Sequence, residues 1–390
     1  MVRRMEELEV QGRRVLLRLD LNVPLRDGKV ADATRIRAAA PTVRALAGRG
    51  AVVVACSHLG RPKGKPDPKY SLAPVAPVLA QLAGCPVRFV EAVVGEKAQQ
   101  AVREAKAGDV VLLENLRFDP REEANDEGFA AELAKLAEVY VNDAFGAAHR
   151  AHASTASVAK FFAEKAGGPL MLAELAALSK VRDNPERPLV VVAGGAKISG
   201  KLETLQALAA KADVLALVGG LANTFLLAKG FAVGRSLVEK ELLELAREIL
   251  HKAASRGVEV LLPVDVVVAE SLEAAQGVTV PVEAVGENQM ILDVGPATVE
   301  AIRRHLGAGT VFWNGPAGVF ERPPFAAGTL AIAQALGESK AFTVVGGGES
   351  VEAVHMAGVA DSITHVSTGG GASLEFLAGA VLPGVAALEG

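Results

Sequence analysis

Ten short runs of aliphatic and β-branched residues recur along the chain. Each is followed by glycine or polar residues and then by an amphipathic stretch with helical spacing. Because the runs are continuous rather than alternating, they predict strands buried on both faces, as parallel strands between helices are. The runs span residues 15–18, 52–55, 87–90, 110–113, 139–141, 189–192, 214–218, 260–262, 310–313 and 342–345. The fold class predicted is α/β, with two doubly wound, Rossmann-like parallel-sheet domains joined by a helix and a hinge.

The domain boundary is expected between Gly168 and Pro188. A chain of 390 residues is too long for one ordinary core. A helical pattern of leucines and alanines follows Gly167-Gly168-Pro169 and ends at Asn184-Pro185. We therefore predict a first domain at 1–168, a joining helix at 169–187, a second domain at 188–376 and a tail at 377–390.

Charge and composition exclude several classes of protein. The net charge is −4, with 27 basic and 23 acidic residues up to position 185 and 14 and 22 beyond it. No basic run interleaved with aromatic residues points to nucleic acid, and no apolar stretch is long enough for a membrane span. The charged N-terminus lacks the apolar core of a signal peptide, and two cysteines cannot form a disulfide framework. We expect a cytoplasmic protein that contacts neither nucleic acid nor membrane.

Basic residues follow the strands of the first half, at the sheet edge where open α/β domains bind ligands. If these strand ends line one edge, the residues that converge there are Arg18, Arg35, Arg61, Arg117, Arg150, His58, His149 and His152. Guanidinium groups bind phosphate and carboxylate bidentately, so the group predicts an anion site. Any one arginine could instead be a surface residue, and His149 with His152 is only a weak metal motif. Asp20 and Asn22 could equally be turn residues before Pro24.

Glycine-rich loops follow the strands of the second half. The segment 194–202 approaches the P-loop pattern, but Leu202 replaces the hydroxyl residue that binds magnesium, so a Walker A loop is not expected. Lys197 and Lys201, four residues apart, are expected on the first turn of a helix, facing phosphate, unless both are simply solvated. The loops at 219–220, 314–318 and 346–348, with a helix beginning at Ser350, favour a nucleotide. The absence of GxGxxG counts against a dinucleotide.

These motifs together resemble the phosphoglycerate kinase family from end to end. The residues that carry the resemblance are 18–24 (RLDLNVP), 57–62 (SHLGRP), 149–154 (HRAHAS), 194–201, 313–321 and 367–373. The resemblance implies reversible phosphoryl transfer between 1,3-bisphosphoglycerate and ADP, with Mg²⁺ accompanying the nucleotide. It also implies that the tail returns to the first domain, and we expect a monomer.

The resemblance also assigns site residues. The implied site for 3-phosphoglycerate or 1,3-bisphosphoglycerate comprises Asp20, Leu21, Asn22, Arg35, His58, Leu59, Gly60, Arg61, Arg117, Arg150, Gly370 and Gly371. The implied site for ATP or ADP comprises Lys197, Lys201, Gly219, Gly220, Asn314, Glu321, Gly347, Gly348, Glu349 and Ser350. Arg35 and Lys197 would hold the transferring phosphoryl group, and Glu321 would bind the ribose hydroxyls. Glu349 stands where the family usually has the aspartate that reaches magnesium, so its extra methylene puts direct ligation in question.

Two other classes are compatible with an α/β chain of two domains. A NAD-dependent dehydrogenase would need a dinucleotide fingerprint, and NADH binding would reveal it. A hinge-bending protein that binds a small anion would need no nucleotide and is usually exported. For the kinase, the carboxylate acceptor is already ionised at pH 7, so no general base is required. The work left to the protein is to align two anions, neutralise charge and exclude water by closing.

Overall fold

Strands and helices alternate through the computed structural model, which describes residues 1–389. The strands are β1 (Arg14–Arg18), β2 (Leu25–Arg26), β3 (Lys29–Val30), β4 (Val52–Cys56), β5 (Val87–Val90), β6 (Val110–Leu113), β7 (Val139–Asn142), β8 (Lys165–Gly167), β9 (Leu189–Ala193), β10 (Val214–Leu217), β11 (Glu259–Leu261), β12 (Asp265–Ala269), β13 (Val278–Pro281), β14 (Met290–Val294), β15 (Thr310–Asn314), β16 (Phe342–Gly346) and β17 (His365–Val366). The helices are α1 (Thr34–Gly48), α2 (Val75–Ala83), α3 (Glu96–Glu104), α4 (Pro120–Glu123), α5 (Glu127–Ala134), α6 (Pro169–Asp183), α7 (Leu202–Ala209), α8 (Gly219–Ala228), α9 (Leu243–Ser255), α10 (Pro296–Arg303), α11 (Ala327–Gly337), α12 (Gly348–Met356), α13 (Gly371–Leu377) and α14 (Pro383–Ala386).

The chain divides into two compact units. The first comprises residues 1–175 and the segment from Val381 onward, and the second comprises residues 176–380. The division falls within α6, inside the range expected for the joining helix. The returning segment starts at residue 381 rather than 377, because α13 packs against α7 of the second unit. Its α14 is tied to the first unit where Gly384 N donates to Ala148 O at 2.9 Å.

A six-stranded parallel sheet forms the centre of the first unit, in the order β5-β6-β4-β1-β7-β8. All five residues of β4 are buried, as continuous apolar strands between helices should be. Helix α1 packs on this sheet through Ile36, Val43 and Leu46. The connection after β1 leads to β4 and the connection after β7 leads to β8, in opposite directions along the sheet, which places a crevice at the carboxyl ends of β1 and β7.

The second unit repeats this design with the order β11-β10-β9-β15-β16-β17, again all parallel. Asn314, at the end of β15, pairs with Ala193 of β9 and Gly346 of β16. The connections after β9 and β15 run in opposite directions, which places the crevice between these two strands. The two doubly wound sheets predicted from the sequence are therefore confirmed.

Two antiparallel sheets escaped the sequence prediction, and the smaller one is the pair β2 and β3 in the first unit. Strands β13, β12 and β14 form a three-stranded antiparallel sheet in the second unit. The predicted strands are continuous apolar runs, whereas β13 is mostly exposed and β12 is buried only in part. Half-exposed strands of this kind are typical of antiparallel sheets and do not form such runs.

Strand β1 ends at Arg18, as predicted, and Asp20 and Asn22 lie in irregular backbone beyond it. Two local predictions are wrong. Helix α7 begins at Leu202, so Lys197 and Lys201 precede the helix instead of occupying its first turn. Helix α12 begins at Gly348, two residues before Ser350, because glycine at 347 adopts the left-handed conformation (φ +93°) that lets the turn start earlier. Across residues 1–389 no helix is long and apolar enough to cross a membrane.

Candidate active site

The first-unit residues predicted to bind an anion gather beyond the carboxyl ends of β1, β4, β6 and β7. Arg35 Nη1 lies 3.0 Å from both carboxylate oxygens of Asp20. The Arg35 side chain is 40% exposed and that of Asp20 is 18% exposed, so the pair faces solvent. Asp20 also accepts a hydrogen bond from the Asn22 backbone, at 3.2 Å. Asp20 is therefore both a turn residue and the group that orients Arg35.

Gly60 is held from two sides at this edge. Its N–H donates to Asn22 Oδ1 at 2.9 Å, and its carbonyl accepts from Arg117 Nη1 at 2.9 Å. Arg117 Nε is buried without a hydrogen-bond partner, and the nearest carboxylate oxygen, on Glu123, is 3.6 Å away. Burial lowers the pKa of the Arg117 guanidinium, and Glu123 partly opposes this. A desolvated guanidinium with an unused donor is suited to bind an anionic oxygen.

The remaining first-unit candidates divide into exposed and internal groups. Arg61 and Arg150 are exposed, and Arg150 Nε approaches His149 Nε2 at 3.4 Å. Leu21 and Leu59 lie in the hydrophobic core, so their side chains support the loops and do not face a ligand. Arg18, which the sequence placed in the converging group, is only 1% exposed and is taken up by contacts inside the protein.

His58 and His152 are each 6% exposed at this edge. Burial and then Arg117 lower the pKa of His152 to about 4, so its imidazole is neutral at physiological pH. Burial, followed by Arg18, Arg117, Arg35 and His152, holds the pKa of His58 well below 6.5. Within residues 1–389, no group of three or more His, Cys, Asp or Glu side chains could hold a metal, so the His149–His152 motif gains no third ligand.

In the second unit, three glycine loops pack against one another at the crevice between β9 and β15. Gly195 N donates to Pro316 O at 2.8 Å, and Leu221 N donates to Gly195 O at 2.9 Å. Gly219 adopts φ +68°, and a Cβ there would lie 2.6 Å from Pro316 O. No side chain fits between Gly219 and Pro316 O, which explains why glycine occupies this loop.

These loops form the floor of a cavity of about 390 Å³. Of the predicted nucleotide residues, those that line it are Gly219, Gly220, Glu321 and Glu349. The cavity walls include the apolar side chains of Leu237, Leu272, Met290 and Leu292 and the polar side chains of Asn223 and Asp293. A volume of this size with mostly apolar walls and a few polar groups is typical of a small-molecule site. None of these wall residues was predicted to bind the nucleotide, and Met290 and Leu292 lie on β14, which the sequence did not predict.

Lys201 lies beside this cavity, because a Cβ built on the lining residue Gly195 would be 3.1 Å from Lys201 Nζ. Its Nζ donates to Gly194 O at 2.8 Å and approaches Asn314 O at 3.4 Å. Burial lowers the pKa of the Lys201 ammonium to about 8, and the nearby Glu349 carboxylate opposes that shift. Both contacts are to neutral carbonyls, so the ammonium has no close counter-ion, and a phosphate would supply one.

Lys197 is exposed on the loop that precedes α7. Glu239, only 6% exposed, fixes this loop because its Oε2 accepts from Ile198 N at 2.6 Å and from Ser199 N at 3.2 Å. Sequence reasoning missed Glu239, since it follows no strand of the parallel sheet and belongs to no motif.

Asn314 and Ser350 connect the ends of β15 and β16 to α12. Asn314 Nδ2 donates to Gly346 O at 2.7 Å, while its Oδ1 is buried without a partner. A Cβ at Gly347 would lie 2.5 Å from Asn314 Nδ2, so glycine is required there. Ser350 is fully buried, and its Oγ accepts from Gly315 N at 2.5 Å, which makes it an internal brace of the loop.

Gly370 and Gly371 were predicted to bind the substrate and lie in the second unit, at the start of α13. Gly370 adopts φ +55° as the N-terminal cap of that helix. Ser367 Oγ, just before the glycines, lies 2.6 Å from Ser373 Oγ. The loop is therefore tied to the first turn of α13.

The oxygen donors near Lys201 could hold Mg²⁺ only together with the phosphates of a bound nucleotide. Glu349 is the carboxylate that lines the cavity near Lys201, and the buried Asn314 Oδ1 is a free acceptor nearby in the fold. Mg²⁺ is commonly held by one or two carboxylates together with phosphate oxygens and water, and not by a cage of protein ligands. The residues present suit a metal that arrives with the nucleotide.

Comparisons with known proteins agree over the whole chain. The family model described as "Phosphoglycerate kinase" matches residues 5–380. The chain is 54% identical to a phosphoglycerate kinase from Chloroflexus aggregans and 53% identical to one from Roseiflexus sp. strain RS-1, with 98% of each chain covered in both cases. A solved phosphoglycerate kinase structure from Coxiella burnetii matches with a TM-score of 0.92 at 41% identity, covering 100% of this chain and 99% of that one. One from Pyrococcus horikoshii OT3 matches with a TM-score of 0.86 at 34% identity, covering 99% and 98%.

Proposed function

The chain belongs to the phosphoglycerate kinase family, and from that premise we propose that its two units divide the substrates between them. The reaction is the glycolytic transfer of a phosphoryl group between 1,3-bisphosphoglycerate and ADP, which gives 3-phosphoglycerate and ATP. The first unit binds the phosphoglycerate and the second binds the nucleotide. The observation that carries this division is the cavity of about 390 Å³ in the second unit, with Lys201 and Glu349 beside it and apolar walls for a base.

The first unit supplies a complementary anion site. Arg117 offers a buried donor that lacks a partner, and Arg35 is oriented by Asp20 at the solvent-facing edge. Arg61 and Arg150 add positive charge at the exposed rim. Bidentate arginine recognition suits both ends of 3-phosphoglycerate, a phosphate and a carboxylate.

The chemistry that this site performs is positioning and charge neutralisation. In the direction of ATP use, the substrate carboxylate is already ionised and attacks without a general base. Arg35 and Lys197 hold the transferring phosphoryl group, and Lys201 binds the phosphates that stay on the nucleotide. Mg²⁺, held in part by Glu349, neutralises negative charge on the phosphates when it is bound. Domain closure brings the two substrates together and excludes water, which would otherwise hydrolyse them.

Calorimetry on the full chain tests the division of substrates. Arg117→Ala should raise the dissociation constant of 3-phosphoglycerate by about 10-fold to 150-fold, the range for a lost hydrogen bond to a charged group, and leave that of MgADP unchanged. Lys201→Ala should do the reverse. Arg14→Ala is the control, because the Arg14 side chain pairs with Glu138, and it should change neither dissociation constant. If either site variant weakens both ligands equally, the division between units is wrong.

Coupled kinetics test closure. ADP formation from MgATP should require 3-phosphoglycerate, and equal hydrolysis of ATP with and without it would contradict closure as the guard against water. We also propose a cytoplasmic monomer, which light scattering and cell fractionation would check.

A further inference from the structure

Arg18 is one of the largest fully buried side chains, although it carries a permanent charge. Its guanidinium makes three kinds of contact. Nε donates to Ser154 Oγ at 2.9 Å, Nη1 donates to the backbone carbonyl of Leu19, and Nη2 lies 3.1 Å from His58 Nδ1. The charge is balanced inside the protein, because Ser154 Oγ and Ser154 N both donate to the fully buried carboxylate of Glu122. Arg18 therefore lies between a buried carboxylate and the His58 ring, and it has no free face for a ligand.

The contact with His58 has a chemical consequence. Arginine carries only donors and does not lose its proton in proteins. The Nη2–Nδ1 contact is therefore a hydrogen bond only if His58 Nδ1 offers a lone pair, which places the hydrogen of the neutral imidazole on Nε2. A protonated imidazole would instead turn an N–H towards the guanidinium.

We propose that Arg18 is a positioning residue that keeps His58 as a neutral Nε2–H donor, aimed at an anionic oxygen of the phosphoglycerate. This inference rests on the proposed function, in which His58 is a substrate ligand. Within residues 1–389 the His58 ring makes its hydrogen bond through Nδ1, to Arg18, and the residue is 6% exposed, which leaves Nε2 for a ligand.

The surroundings of His58 agree with a neutral ring. The charged and titratable groups that act on it are Arg18 from β1, Arg35 from α1, Arg117 from the loop after β6 and His152 from the loop after β7. Each of these groups and the burial of the ring disfavour the imidazolium. The site thus receives its positive charge from arginines, and His58 contributes direction and a hydrogen bond whose strength does not change with pH.

Histidine ¹⁵N NMR on the full-length protein without ligand tests the first half of the proposal. The His58 signals, assigned by their loss in His58→Ala, should show the hydrogen on Nε2 and no titration between pH 5.5 and pH 8.5. A hydrogen on Nδ1, or titration near the ordinary pKa of about 6.5, would overturn the proposal without the need for any Arg18 variant.

Variants then separate positioning from general structural support. In Arg18→Met the His58 titration should move up towards pH 6.5, and in Arg18→Lys, which keeps a donor-only cation, it should stay suppressed. Because Arg18→Met leaves Glu122 without its counter-charge, the double variant Arg18→Met/Glu122→Gln is a second form in case the single one does not fold. Arg14→Met, on the same strand but paired with Glu138, should leave His58 unchanged. If the hydrogen stays on Nε2 and the pKa of His58 is unchanged in both Met variants of Arg18, Arg18 does not control the tautomer of His58.

Binding of 3-phosphoglycerate links this tautomer to function. His58→Ala should raise its dissociation constant by about 10-fold to 150-fold, by the same factor at pH 6 and pH 8. In the Arg18→Met background, the same substitution should cost more at pH 6 than at pH 8, because an imidazolium is then lost. If His58→Ala leaves binding of 3-phosphoglycerate unchanged, His58 is not a substrate ligand and that part of the proposed function fails. The NMR experiment still shows independently whether Arg18 sets the tautomer of His58. If the cost of His58→Ala does not depend on pH in either background and the hydrogen of His58 stays on Nε2 in Arg18→Met, positioning by Arg18 is refuted.

Discussion

Lys201 should take up a proton when the nucleotide binds. Burial, opposed in part by Glu349, lowers the pKa of its ammonium to about 8 in the free protein. Its Nζ contacts are the carbonyl oxygens of Gly194 and Asn314, which do not compensate a charge as an anion does. A phosphate beside Nζ favours the charged form and should return the pKa to its ordinary value of about 10.4 or above.

The size of the effect follows from the fraction of neutral amine before binding. With a pKa of about 8, that fraction is roughly 0.1 at pH 7, 0.5 at pH 8 and 0.9 at pH 9, and all of it should be protonated in the complex. Calorimetric titration with MgADP in pairs of buffers that differ in ionisation enthalpy measures the protons taken up at each pH. The expected values are therefore about 0.1, 0.5 and 0.9 protons per nucleotide.

Two variants identify the group that is protonated. Lys201→Ala should abolish the uptake at pH 8 and pH 9 and weaken binding. Lys197→Ala, which removes an exposed lysine from the neighbouring loop, should keep the uptake. Uptake below about 0.2 protons at pH 9 in the unaltered protein, or equal uptake in Lys201→Ala, would refute the assignment of the buried amine to the phosphate site.

Three further predictions concern other parts of the site. Arg35→Ala should cut turnover by roughly 10³-fold to 10⁵-fold, as expected for an arginine that meets charge on the moving phosphoryl group, while Arg117→Ala should chiefly raise the Michaelis constant for 3-phosphoglycerate. Steady-state kinetics in which Arg35→Ala changes only the Michaelis constant would make Arg35 a simple anchor. Glu349→Ala should raise the dissociation constant of MgADP by roughly 10-fold to 100-fold while Glu349→Asp retains affinity, and an unchanged constant in Glu349→Ala would remove this carboxylate from the metal site. Burial raises the pKa of Asp293 to about 7 although it accepts from Gly328 N and Val294 N. Its contribution to stability is therefore present below the unfolded pKa, near 4, and is lost as the pH rises through 7, a loss of about 4 kcal/mol at 1.36 kcal/mol per pH unit. Urea unfolding followed by Trp313 fluorescence should show Asp293→Asn gaining stability relative to the unaltered protein over this pH range, and parallel pH profiles would contradict it.

The parallel sheets were predictable because their signal is local. A continuous aliphatic run such as 189–192 has to be buried on both faces, and the glycine or polar residue after it marks the edge where the chain turns. The three-stranded antiparallel sheet was not predictable in this way. The exposed strand Val278–Pro281 gains its conformation by pairing with Asp265–Ala269, and that partnership is not encoded in its own hydrophobicity.

Residue types could be assigned to the site, but their states could not. The arginines and glycines at strand ends predict a candidate site, yet nothing in the sequence shows that Arg18 faces inward while Arg61 faces solvent. The sequence alone does not distinguish Lys197 from Lys201, two lysines four residues apart. Because α7 begins at Leu202, Lys197 is exposed and Lys201 is partly buried against two carbonyls.

The sequence by itself determined the fold class and the family and nominated the candidate site residues, because these follow from local patterns and short motifs. The tertiary structure alone decided the cavity walls, the bracing of the Lys197 loop by Glu239, and the protonation states of His58, Lys201 and Asp293. The physical reason is that burial and hydrogen bonding come from groups distant in sequence. The free energy of an ionised group depends on which of those groups surround it.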